Sequence, residues 1–158
     1  MSIFSKSFIL GVFIYAPLVF SQPQSDKLDT VKLWAEKAQQ QCFMKIHFDT
    51  FAYQDCLVLM AKEEVGNKPR ELGIYYFAYV GAMDAVRTGM YGSYNTAWYF
   101  LQRFRKIQRT LGIDDRSLCT TVPGNCDIRL SQIEQMRKMP QPAPIDTDGG
   151  TPKEKQTH

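Results

Sequence analysis

The four cysteines, at positions 42, 56, 119 and 126, constrain this chain more than any other feature. An even number of cysteines in a small chain is most simply read as two disulfides, although four cysteines permit three connectivities. No Cys-x-x-Cys spacing occurs, which argues against a thioredoxin-like redox pair or a zinc ribbon. Suppose that residues 42 to 56, CFMKIHFDTFAYQDC, formed one helix. A rise of ~1.5 Å per residue would set the two cysteines ~21 Å apart, whereas a disulfide needs Cα atoms within ~7 Å. Each would then have to reach Cys119 or Cys126, and the short segment between those two would be almost fully stretched. That segment holds Val122-Pro123-Gly124-Asn125, a turn sequence with proline and glycine at its two central positions.

A break near His47 removes the conflict. Asp49 is a good helix N-cap, Phe48 and Tyr53 occupy the positions of a hydrophobic staple, and residue 49 is midway between the cysteines. The favoured pairing is therefore Cys42–Cys56 across a helical hairpin, with Cys119–Cys126 closing the Pro-Gly loop. Each closed loop contributes about 2–3 kcal/mol. The alternative joins hairpin to loop, for example Cys42–Cys126.

Helical periodicity dominates the middle of the chain. The first helix is expected from near Asp26, with Leu28, Val31, Leu33, Trp34, Ala38 and Cys42 as its apolar stripe. A second begins at Asp49 and ends at Gly66, and a third runs from Pro69 to about Gly89. The third is apolar on nearly all sides, which marks it as the central helix. Gly73, Gly81 and Ala85 leave one of its ridges almost bare, so another helix can approach there. A fourth runs from about Asn95 to Leu111, with Gln102, Arg105, Lys106 and Arg109 facing water, and a weaker fifth follows Asp127. Alternating strand patterns are rare. The expected fold is an all-α small bundle of four to five helices stapled by two disulfides, with 112–127 as a connection.

The two ends read differently. Residues 1–21 carry Lys6, an apolar run from Phe8 to Phe20, and Val19 and Ser21 at the −3 and −1 positions of a cleavage site. This fits a secretory signal peptide. The run is shorter than the roughly 20 residues of a membrane span, so cleavage is favoured over a retained anchor. Residues 140–158 are rich in proline, glycine and charge and are expected to be disordered. The helical domain is thus 22–139, in a periplasmic or secreted location, with no stable membrane span after cleavage. The formal charge of +3, one unit of it from Lys6, gives no reason to expect nucleic acid as a partner.

Catalytic parts are scarce. His47 and the terminal His158 are the two histidines, so a Ser-His or Cys-His pair is hard to assemble. Met44, His47 and two thiols could hold a soft cation, but thiols of an exported protein oxidise; no metal centre and no cofactor is expected. Carboxylates could still serve as acid and base if Glu63, Glu64, Glu71, Asp84, Asp114 and Asp115 met in one cleft. Asp114 and Asp115 read as solvated charge in a connection. Asp84 interrupts the apolar run YYFAYVGAMDAVRTG, with Arg87 one turn later. It is either a polar stripe surfacing from the bundle or the floor of a partner site, within reach of the Tyr76 or Tyr91 hydroxyl. Tyr91, Tyr94 and Trp98 supply flat rings with polar edges that suit sugars, peptides and protein hot spots, or pack the turn between helices. Arg105 and Arg109 could meet acidic lipid, a wall polymer or an acidic protein.

The YVGAMDA segment at 79–85, in a small four-cysteine helical chain with an export signal, resembles the Tai group of periplasmic immunity proteins. The resemblance covers seven residues and implies binding of a secreted effector. That group has a cysteine shortly before the motif, whereas Cys56 here lies well upstream. The expected function is binding of another macromolecule, a protein or a cell-envelope polymer, by an exported disulfide-stabilised domain without enzymatic activity. A carboxylate-dependent envelope hydrolase and an immunity or inhibitor protein that neutralises a secreted effector are the alternatives.

Overall fold

In the computed structural model, residues 23–43, 45, 50–89 and 94–141 are described. The signal-peptide expectation, the turn at His47-Phe48-Asp49, Tyr91 and most of the 140–158 tail lie outside them. Six helices follow in order: α1 Gln24–Cys42, α2 Thr50–Glu63, α3 Lys68–Thr88, α4 Tyr94–Leu111, α5 Asp115–Thr121 and α6 Cys126–Lys138. No strand occurs among the described residues. The all-α expectation holds, but the count is six rather than four to five. The added element is α5, in the stretch expected to be a connection. Its seven residues are too few to show a 3.6-residue period. It is started by Asp114, whose side chain accepts from the Ser117 backbone N–H at 2.8 Å. This carboxylate is held below its usual pKa, first by that hydrogen bond and then by the Ser117 hydroxyl.

Both favoured disulfides are present. Cys42 and Cys56 join the end of α1 to α2 with Cα atoms 5.7 Å apart, and Cys119–Cys126 ties α5 to α6 at 5.0 Å. All four thiols are consumed, and none remains free.

The core is assembled around α3. Asn67 caps its start by accepting from the Arg70 N–H, and Gly89 ends it with φ 67°, the left-handed geometry that glycine adopts without strain. Val31, Ala35, Ala38 and Cys42 of α1 form a buried stripe at helical spacing. Leu33, expected in that stripe, is instead exposed, because two residues advance a helix by about 200°. Helix α1 packs tightly against α3 at Gly73, where a Cβ would overlap the Val31 carbonyl oxygen. On the other side α4 buries Ala97, Phe100, Leu101, Phe104 and Ile107. The Phe104 ring meets Tyr76 edge-on at 5.4 Å and Tyr79 at 5.1 Å, arrangements favoured by the ring quadrupoles.

A polar knot joins α4, α5 and α6, and it corrects two expectations. Asp115 is not free solvated charge, and Arg105 does not face water. Arg105 Nη1 and Gln108 Nε2 both donate to Asp115 Oδ1, at 2.6 and 2.7 Å, while Arg137 Nη2 donates to Oδ2 at 3.0 Å. The Arg105 side chain is 17% exposed, so this charge is largely desolvated and depends on its partner.

Candidate functional site

Although α3 is apolar nearly all round, it is not covered all round. Phe77, Val80, Gly81, Asp84, Ala85 and Thr88 lie on one face at helical spacing, and that face is the floor of a groove of about 570 Å³. One wall is the C-terminal half of α1 with Glu36, Gln39 and Phe43. Tyr53 of α2 closes one side, and Val122, Pro123 and Gly124 with Arg129 form the other wall. The groove is therefore framed by the two disulfide-closed segments.

Each wall has a local cause. Tyr53 leans across α3 because Gly81 has no side chain: a Cβ there would lie 2.6 Å from the tyrosine hydroxyl. Burial raises the Tyr53 pKa well above 10, and the Asp84 negative charge adds to the rise. Among the described residues Tyr53, not Tyr76, is thus the phenol that senses Asp84. Tyr76 is buried beside Phe104 and Arg129.

The opposite wall is pinned by Arg129, which is 6% exposed. Its Nη1 donates to the carbonyls of Cys119 at 3.3 Å and Val122 at 2.5 Å. These lie at the C-terminus of α5, where helical carbonyls lack intrahelical partners and the helix dipole favours a cation. A Cβ at Gly124, whose φ is 133°, would overlap the Arg129 guanidinium, so glycine lets the loop close over the arginine.

Asp84 lies at the solvent edge of that floor, its side chain 52% exposed and 3.6 Å from Arg87 Nη2. That ion pair is too long and too exposed to neutralise the carboxylate appreciably. Glu36, across the groove, adds a second carboxylate. The interior between them is apolar: Phe43, Phe77, Val80 and the Tyr53 ring. Such a surface suits a cationic side chain flanked by apolar ones.

The chain matches no protein family, no curated protein and no solved structure.

The remaining expected residues are dispersed. Tyr94 and Trp98 stack on one another at 6.3 Å and pack against the core, so their rings are spent mainly on the bundle. Arg105 is held by Asp115, whereas Arg109 is exposed on α4 beside Arg103 and Lys106. The six carboxylates do not share a cleft. Glu64 pairs with Arg70, and Glu71 accepts from Lys68 and the Gly66 N–H. Asp114 and Asp115 belong to the α5 start, and Asp84 is on the groove. Phe43, Tyr53, Phe77, Val80 and Glu36 are groove residues that were not among the binding candidates expected from the sequence. Projecting α3 by helical angle would have found the pair on it, since Phe77 and Val80 share a face with Asp84.

Proposed function

We propose that this protein is an exported, non-enzymatic binding domain whose groove takes a basic and apolar segment of a partner protein. The observation that carries the reading is the groove itself: an apolar floor along α3, a carboxylate on each side, and walls fixed by covalent loops. Walls held by disulfides and by the buried Arg129 are pre-organised, which lowers the entropy lost on binding. Two disulfides fit an oxidising compartment, and no helix among the described residues is long and apolar enough to cross a membrane.

A protein partner is favoured over a wall glycan. Sugar sites need polar groups facing stacked rings, while Phe43, Phe77 and Val80 offer apolar contact. Val80, Gly81, Asp84 and Ala85 of the segment resembling immunity proteins lie on the groove floor, which supports a role in neutralising a secreted effector. The test is an NMR titration of the oxidised chain with a peptide alternating Lys or Arg with Leu and Phe. Shifts should concentrate at 36–43 and 77–88 and weaken in Glu36→Gln/Asp84→Asn. Shifts elsewhere with an unperturbed groove would refute the proposal.

A further inference from the structure

Helix α4 contains four basic residues and no acidic one in its 18 residues. Arg105 turns inward and is neutralised by Asp115. Arg103, Lys106 and Arg109 stay exposed, and no ion pair engages them among the described residues. Spaced by three, they wind along α4 over about 9 Å at ~1.5 Å per residue.

Two shallow concavities adjoin this row and share Arg103 and Lys106. One, of about 440 Å³, is lined by Gln102, Arg103, Lys106 and Arg109. The other, of about 380 Å³, is bounded across from α4 by Lys62 and Lys68. Glu71 is the carboxylate in that second hollow, and it is already occupied by Lys68 and the Gly66 N–H. Arg103 is held over the Tyr99 ring, its guanidinium carbon 5.2 Å from the centroid, which orients it by cation–π attraction. Val65, 73% exposed, adds an apolar contact at the edge of the same hollow.

These hollows are not a continuation of the groove. Glu71 and Tyr75 line the cationic one and Phe77, Val80 and Asp84 the apolar one, on roughly opposite faces of α3 by helical angle. From the charge complementarity we infer that Arg103, Lys106 and Arg109, with Lys62 and Lys68, form a second binding surface for an acidic segment of a protein. The inference is independent of the groove reading. Concavity favours a protein segment over a bilayer: side chains of a partner can enter two hollows, whereas a flat headgroup plane meets their rims.

The test is fluorescence anisotropy on the full oxidised chain, at low and at physiological salt. The probe is a labelled helical peptide with glutamates three and four apart and one leucine, and its glutamine counterpart is the control. Binding should require the glutamates and weaken as salt screens the exposed charges. Arg103→Gln/Lys106→Gln/Arg109→Gln should lose roughly tenfold in affinity, in line with a few tenths to about one kcal/mol per exposed pair. Lys27→Gln/Lys32→Gln/Lys37→Gln removes equal charge from α1 and should stay within about twofold. Melting curves of both variants should match the parent, since the altered side chains are at the surface. Equal losses in the two triple variants would reduce the effect to net charge and overturn the proposal. So would absence of peptide binding, or binding only to phosphatidylglycerol vesicles offered in parallel.

Discussion

Two glycines on α3, eight residues apart, should respond to very different extents to the same substitution. At Gly73 an added methyl would overlap the Val31 carbonyl oxygen and lie 3.0 Å from the Ala35 nitrogen and 3.2 Å from the Trp34 Cβ. Two of these three atoms are helix backbone, so no rotamer change relieves the clash and α1 must move as a body. Overpacking of this kind costs about 1–3 kcal/mol, with backbone obstruction at the upper end. Alanine returns about 1 kcal/mol of helix propensity over glycine. The net expectation for Gly73→Ala is a loss of about 2 kcal/mol, or a Tm lower by about 8 °C at ~4 °C per kcal/mol. At Gly81 the obstacle is the far end of the Tyr53 side chain, 2.6 Å away, with ring atoms at 3.5 and 3.6 Å. A small shift of that ring relieves it, so Gly81→Ala should change Tm by only about 2 °C in either direction. Urea unfolding followed by circular dichroism, with thermal melts alongside, measures both. A Gly73→Ala protein as stable as the parent would refute the close crossing of α1 over α3.

Further outcomes follow from the polar groups. Asp115→Asn strips the counter-charge from a largely buried Arg105 and should lower unfolding free energy by about 2 kcal/mol, measurable by urea titration. Arg137→Ala, which removes a half-exposed partner of the same carboxylate, should cost well under 1 kcal/mol. Arg129→Met leaves the Cys119 and Val122 carbonyls without their donor and should cost about 2 kcal/mol. It should also speed backbone amide exchange at 118–125. Burial pushes the Tyr75 and Tyr76 pKa values up to about 12 and raises those of Tyr53 and Tyr79 further. Phenols with a folded pKa above the unfolded 10 stabilise the fold fully below pH 10 and lose that contribution as pH rises toward the folded values. Unfolding free energy should therefore fall as pH rises from 10 toward 12. Phenolate absorbance should appear together with loss of helix.

The covalent framework was legible because distance along a helix excludes a straight segment between Cys42 and Cys56, and a Pro-Gly turn naturally brings Cys119 to Cys126. The central position of α3 was legible from its apolar circumference, and the close approach of another helix from Gly73, though not that this helix is α1. Helix α5 was hidden by its length: capping by Asp114, not periodicity, specifies it. The polar knot at Asp115 was hidden for another reason, since Arg105 and Asp115 are brought together only when α4 and α5 fold back on one another. The groove was missed because apolar composition says that a face is able to be buried, not that another element exists to bury it. Asp84 pointed to the right face of α3. Its partners across the groove, Glu36, Phe43 and Tyr53, come from separate segments that the bundle brings together.

The central claim is that the face of α3 bearing Val80 and Asp84 receives a protein segment. A photoreactive amino acid placed at Val80, in the oxidised full chain expressed in its native host, tests it most directly, with the same group at exposed Leu33 as the reference. A discrete adduct is expected from position 80, absent from position 33 and sharply reduced by Glu36→Gln/Asp84→Asn. Equal labelling from both positions, or an adduct at 80 indifferent to the loss of both carboxylates, would contradict it.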